Sequence, residues 1–216
     1  MKLFITFEGI EGCGKTTQIC LLKDYLEKMG YSVIATREPG GTQIGDSIRK
    51  ILLDSRNANI DSRTELLLYQ ASRAQHIKDV IRPALEQGYI VLCDRFTDAT
   101  LAYQGYAQGI SKNLIESLNQ LATDNLTPDF TILIDCPAEI GLKRVRIRKK
   151  TVNQKVSEDR FEDKSIAFHQ MVRLGYLQIA EGNSNRIYIV DGRKDSSIVH
   201  REIRSTVLKK IEGQKI

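Results

Sequence analysis

The chain has 216 residues, 41% hydrophobic and 27% charged, which suits one large soluble domain with a sizeable core. Its net charge of +5 is compatible with nucleic acid, a membrane surface or a polyanionic small substrate, but the one dense basic run, "KRVRIRKK" (143–150), has no aromatic interleaved as nucleic-acid binders usually show. The four cysteines form no C-x-x-C pair or metal-ligand spacing, and no apolar run approaches a signal sequence or membrane span, so a reducing cytoplasm is expected.

The first predicted strand, "KLFITFE" (2–8), runs into "GIEGCGKT" (9–16) and a helix over 15–29. Strand, glycine-rich loop and helix is the context that makes G-x-x-x-x-G-K-[ST] a phosphate cradle rather than a chance match. Gly9, Gly12 and Gly14 let the backbone wrap phosphates, Lys15 reaches β/γ oxygens, and Thr16 offers a hydroxyl to Mg²⁺. The nucleotide site is therefore assigned to Gly9, Ile10, Glu11, Gly12, Cys13, Gly14, Lys15, Thr16 and Thr17. Glu11 is the anomaly, an anion inside an anion cradle. Cys13 reads as a small side chain tolerated in the loop, at a helix N-terminus that can lower a thiol pKa.

A strand "YSVIATR" (31–37) ends in "REPGGT" (37–42), and the helix over 43–53 carries Arg49. The long helix over 62–87 carries "YQASR" (69–73). Strand "YIVLCDR" (89–95) leads into "DRFTDATLAYQG" (94–105), for which no helix is predicted. A helix over 112–123, strand "DFTILIDC" (129–136) and a helix over 138–149 follow. The polar stretch "KKTVNQKVSED" (149–159) reads as a mobile flap, followed by a helix over 159–181, strand "RIYIVD" (186–191) and a helix over 195–211. Gly30, Gly88 and Gly182 fall at helix ends, where a left-handed residue is wanted.

The strands are near-continuous apolar runs, as in parallel strands buried on both faces. Their alternation with helices predicts an α/β fold, with helices on both faces of a five-stranded parallel sheet and functional residues at the carboxyl ends of the strands. Cys93 and Cys136 are expected to be buried. His76, His169 and His200, on helices without partners at ligand spacing, read as surface or interhelical polar residues.

A phosphate loop alone leaves GTPases, ATPases and small-molecule kinases open. The guanine-reading N-K-x-D is absent, and a motor ATPase would be longer, with an acidic pair closing a strand. Arginines after strand ends, with an aromatic, an amide and glycines, suit a nucleoside monophosphate: guanidinium forks take its phosphate and a ring stacks on its base.

The acidic phosphate loop, "TREPGGT", Arg49, "DR…AYQG" and "GLKR…DRFE" together resemble the thymidylate kinase family, in family order and over nearly the whole chain. The resemblance implies a P-loop NTPase-like three-layer α/β/α sandwich, a single domain over 1–216 with a LID at about 146–160, and transfer of the ATP γ-phosphoryl group to dTMP with Mg²⁺. It implies that Arg49 and Arg95 hold the dTMP phosphate, Tyr69 meets thymine, Arg73 and Thr100 read the base edge, and Tyr103 and Gln104 lie by the sugar, with Glu38 and Pro39 on the acceptor side. Asp94 joins Thr16 near the metal, and Glu11 points to the acceptor's 3′-hydroxyl. A catalytic arginine next to Glu11, present in one branch, is replaced by Gly12, so the LID is expected to supply it: Arg148 first, with Arg144, Arg146 and Arg160 as alternatives, Arg144 being assigned also to the ATP site. Ala99 stands where the family usually has Ser, and Phe96 replaces a common tyrosine. A homodimer is implied, through helices 43–53 and 62–87, with neither nucleic acid nor membrane as partner. The rival readings are a kinase for another pyrimidine monophosphate such as dUMP, and a nucleotide-dependent nucleic-acid binding module.

Overall fold

The strands pair all in parallel, in the order β2-β3-β1-β4-β5, in a computed structural model that describes residues 2–152, 160–162 and 164–213. They are β1 (Leu3–Glu8), β2 (Val33–Arg37), β3 (Ile90–Asp94), β4 (Phe130–Asp135) and β5 (Ile187–Asp191). β1 lies at the centre and every residue of it is buried, which is why "LFITFE" shows no polar alternation. Leu3, Ile5 and Phe7 point into one core with Ile90, Leu92 and Ile132, while Phe4 packs on the other face with Val91, Cys93, Phe96 and Ile77. Two cores on two faces of one sheet make the expected three layers.

Among the described residues the main helices are α1 (Lys15–Lys28), α2 (Gln43–Leu53), α3 (Ser62–His76), α4 (Arg82–Glu86), α5 (Thr97–Thr100), α6 (Lys112–Thr123), α7 (Ala138–Val152), α8 (Ile166–Gly182) and α9 (Ser196–Gly213). A π-helical stretch, Ile77–Ile81, joins α3 to α4, so the helix expected over 62–87 is continuous but not uniform. Side-chain caps start several helices, α2, α3 and α8 among them. Thr42 Oγ1 accepts from Gly45 N (2.9 Å), Asp61 Oδ1 from Arg63 N (3.0 Å), and Ser165 Oγ from Phe168 N (3.2 Å). Each such cap contributes about 1 kcal/mol. Gly30 and Gly88 adopt left-handed conformations after their helices, whereas Gly182, the last residue of α8, does not.

Three expectations change. The segment after β3 is helical, α5 running into a π-helical stretch, Leu101–Ala107. Ala102, Tyr103, Gln104 and Gly105 are buried in succession, so the segment has no polar face to announce a helix. The helix expected from 159 begins at Ile166, behind the Ser165 cap, with residues 160–162 in a turn. The basic run 143–150 lies wholly within α7, so the first part of the expected LID, 146–152, is helix; residues 153–159 of that LID lie outside the described residues.

The chain leaves β1 for the β2 side of the sheet and later crosses β1 to add β4 and β5 on the other. The carboxyl end of β1 is therefore a switch point, where open α/β sheets bind ligands.

Candidate active site

A cavity of about 810 Å³ opens over the carboxyl ends of β1, β2 and β3. Its lining includes Glu11 to Thr17 of the phosphate loop, Glu38, Pro39 and Arg49, Tyr69 and Arg73, Asp94 and Arg95, and Thr100, Tyr103 and Gln104. Arg144 and Arg148 of α7 complete it. Gly9 and Ile10, at the base of the loop, do not line it; their carbonyls accept from Lys15 Nζ, each at 3.0 Å. Thr16 Oγ1 donates to Asp94 Oδ2 (3.0 Å), which places two hard oxygen donors beside the start of α1.

Glu11 turns away from the phosphate cradle. Its Oε1 accepts from Tyr103 Oη (2.6 Å) and from Arg95 Nη2 (2.9 Å). Burial alone would raise the pKa of this carboxyl, but Arg95, His169, Lys15 and Tyr103 outweigh burial and hold it well below the usual carboxylate range. The anion is thus neutralised chiefly by Arg95, from outside the phosphate loop.

Arg95 is left-handed (φ 71°), a conformation that costs a non-glycine residue energy and is tolerated where surrounding contacts hold it. Its own N–H donates to Phe7 O (2.9 Å), and the next N–H, of Phe96, donates to Glu8 Oε1 (2.7 Å). Besides Glu11, its guanidinium donates to Tyr176 Oη (3.1 Å) and lies over the Tyr103 ring at 4.8 Å. Tyr176 in turn donates to Glu8 Oε2 (2.8 Å). Burial, then Asp98, pushes the Glu8 carboxyl up to about 7.

Arg73 is 1% exposed, with internal partners for all five N–H groups. Nε donates to Glu38 Oε2 (2.8 Å), Nη1 to Gln70 Oε1 (3.2 Å) and Asn119 Oδ1 (2.7 Å), and Nη2 to Phe96 O and Thr100 Oγ1 (both 3.0 Å). Arg49 Nη1 donates to Pro39 O (2.9 Å), which ties α2 to the end of β2. Gln104 donates to Glu65 Oε1 (2.6 Å).

The α7 arginines separate by face. Arg144 Nη1 donates to Gly192 O (2.8 Å), and Arg148, largely exposed, donates through Nη2 to Glu162 Oε1 (3.3 Å). Arg146 is exposed and does not line the cavity. Arg160, one of the alternatives for the catalytic arginine, is not placed for that task. It is buried, paired with Glu65, bonded to Leu52 O (2.6 Å) and stacked over Phe161. Gly12 (φ +70°) could not carry an arginine without rearrangement, because a Cβ there would stand 2.1 Å from Gly141 O of α7.

Several participants had no local signal in the sequence. Glu8, Glu65, Tyr176 and the Gly192–Asp195 segment ahead of α9 reach the site or brace it only through the fold. His76 and His169 are not surface residues; both are fully buried, and His76 bridges Thr36 Oγ1 (2.6 Å) and Glu38 Oε1 (3.1 Å). The Cys13 thiol is pushed up rather than down, because burial outweighs the nearby Lys15 charge. Cys93 and Cys136 are buried, as expected. Ala99 lies on the cavity wall, and Phe96 packs edge-on against Phe4 at 4.9 Å.

The family model described as thymidylate kinase matches residues 7–203. The chain belongs to the thymidylate kinase family. Its reaction is the phosphorylation of dTMP. Thymidylate kinase from Geotalea daltonii is 53% identical over 99% of this chain and 100% of its own, and that from Pelobacter propionicus is 54% identical over 96% and 94%. The crystal structure of thymidylate kinase from Ehrlichia chaffeensis superimposes with a TM-score of 0.75 at 38% identity, covering 95% of this chain and 98% of that one. These matches do not favour a kinase for another pyrimidine monophosphate or a nucleic-acid binding module. Among the described residues no helix is long and apolar enough to cross a membrane.

Proposed function

We propose that dTMP and ATP meet in this one cavity, with the phosphate loop on the donor side and Arg49, Tyr69, Arg73, Arg95, Thr100, Tyr103 and Gln104 on the acceptor side. The observation that carries this reading is the turn of Glu11 toward Arg95 and Tyr103, which marks where one half ends and the other begins. The first-turn N–H groups of α1 and Lys15 take the triphosphate; Lys15 then exchanges its loop carbonyls for β/γ oxygens. Thr16 and Asp94 fit Mg²⁺, which takes one or two protein oxygens plus substrate phosphates. When bound, the ion neutralises charge on the β and γ oxygens.

On the acceptor side Arg49 and Arg95 hold the dTMP phosphate in line with the γ-phosphoryl group. The Tyr69 ring meets thymine. Arg73, by sharing N–H groups already fixed in a rigid frame, and Thr100, through its hydroxyl, read its edge, with Glu38 behind Arg73 and Pro39 on the wall. Tyr103 fills the space a ribose 2′-hydroxyl would need, and Glu11 faces the 3′-hydroxyl. Arg148, with Arg144 beside it, brings positive charge to the transferring group from α7, where Gly12 cannot. A homodimer through α2 and α3 is supported by the exposed Ile44, Ile51 and Leu67, and a cytoplasmic setting by four free cysteines.

The test is ADP release from ATP with a panel of dTMP, dUMP, dCMP and ribo-TMP. Turnover highest with dTMP is expected, with dUMP reduced by roughly 10- to 200-fold, the range for one methyl in an apolar pocket. Equal turnover across the panel would overturn the acceptor assignments.

A further inference from the structure

His169 stands beside the acceptor half with no task in the reading above. It lies in the first turn of α8, is 0% exposed, and meets the Phe168 ring edge-on at 5.6 Å. Its Nδ1 is 3.1 Å from Glu11 Oε2, close enough for a charge contact but not aligned for a hydrogen bond. Among the described residues, Glu11 Oε2 and both ring nitrogens have no hydrogen-bond partner, although all three atoms are buried. Buried polar groups are nearly always satisfied, so two unpaired groups facing each other at hydrogen-bond distance mark a place where geometry is held in reserve. The contrast with the other oxygen is sharp: Glu11 Oε1 takes two bonds.

A carboxylate gripped at one oxygen can still rotate about its terminal torsion, which is broad and soft. A donor at the second oxygen fixes the plane. We propose that His169 is a positioning residue for Glu11: a small rotation of the imidazole brings its Nδ1–H onto Glu11 Oε2 when the acceptor nucleotide binds, and so fixes the carboxylate against the acceptor sugar. The inference rests on the reading of Glu11 as an acceptor-side group. His169 also lies among the groups that favour the charged form of Glu11 against burial, after Arg95. No proton changes hands in this role; the imidazole orients and does not react.

Steady-state kinetics of four variants test it: His169→Asn, His169→Gln, Glu11→Gln and the double variant His169→Gln/Glu11→Gln. The asparagine amide reproduces the reach of Nδ1, whereas the glutamine amide reproduces that of Nε2. His169→Gln should lower kcat/KM for dTMP on the order of 10-fold, the loss expected of one hydrogen bond to a charged group, with KM for ATP unchanged within about 2-fold. His169→Asn should recover most of that loss. Once Glu11→Gln is present, His169→Gln should cost little more, since both act through one contact. Additive losses, equal losses with Asn and Gln, or equal effects on ATP and dTMP would overturn the proposal in favour of a packing role. An impaired Glu11→Gln beside a silent His169→Gln sinks the proposal alone. A silent Glu11→Gln sinks the acceptor reading of Glu11 together with it.

Discussion

Tyr103 has two duties in one side chain. Its ring walls the cavity and supports the Arg95 guanidinium, while its hydroxyl donates to Glu11. Phenylalanine keeps the first duty and loses the second; alanine loses both. Tyr103→Phe should therefore lower kcat/KM for dTMP by only about 5-fold, the worth of one hydrogen bond of roughly 1 kcal/mol, and keep selectivity over ribo-TMP. Tyr103→Ala should admit ribo-TMP. Measuring kcat/KM for both nucleotides with each variant decides it: an unchanged dTMP-to-ribo-TMP ratio in Tyr103→Ala would rule out a steric gate. The same side chain shows how a residue's second role stays hidden in sequence. "AYQG" suggests an aromatic by the sugar, but its bond to Glu11 spans 92 positions and has no local periodicity to announce it.

At the scale of elements, α7 brings to the cavity the arginines that the phosphate loop, with Gly12 beside Glu11, does not. Arg144 and Arg148 are four residues apart and so share a face, which looks into the cavity, while Arg146 does not. Gly12 and Gly141 explain why the helix comes so close: a Cβ on Gly12 would meet Gly141 O at 2.1 Å, and one on Gly141 would meet Glu11 O at 2.4 Å. Glu162 holds Arg148 and Lys149 together on the rim; in the proposed reading Arg148 exchanges it for the transferring phosphoryl group in the reacting state. Removing an interaction made only then lowers kcat and leaves ground-state binding alone. Arg148→Ala should lose at least about 100-fold in kcat, a conservative figure for an arginine at a transferring phosphoryl group, while the Kd for dTMP changes little. Single-turnover kinetics with a parallel dTMP titration measures both; kcat within a few-fold of wild type would leave Arg148 a solvated side chain. That α7 was basic could be read from "KRVRIRKK". Which of its faces met the cavity could not, because alternating arginines satisfy a solvated helix equally well.

Across the whole molecule, the sheet and the site are tied together by Glu8, at the end of the central strand. Its folded-state acid titrates at about 7 instead of 4.5, because burial, then Asp98, penalises the charged form. A raised carboxyl pKa contributes stability that is full below about pH 4.5 and is lost as pH rises through 7. Glu8→Gln mimics the protonated form and removes that titration. Urea unfolding of the two proteins between pH 5 and 8 should show wild type losing stability relative to Glu8→Gln as pH rises, by on the order of 2 kcal/mol across the window. Parallel curves would contradict it. The strands and most helices were legible because apolar runs and caps are local. The helix over 97–107 was not, because Ala102, Tyr103, Gln104 and Gly105 are buried in succession and leave it no polar face. Nor was the chain of contacts from Glu8 through Tyr176 and Arg95 to Glu11, whose members are up to 168 residues apart. Arg160 misled for a related reason: it stands at the end of the segment expected as a LID, about 146–160, yet its side chain is locked onto Glu65 and Leu52.

What joins these scales is one claim, that donor and acceptor share a single cavity and the phosphoryl group passes directly between them. A nucleotide that links adenosine and thymidine through a chain of five phosphates spans both halves and tests it most directly. Inhibition competitive with both ATP and dTMP, at one molecule per chain, is the predicted result. Competition with only one of the two substrates would contradict a shared cavity.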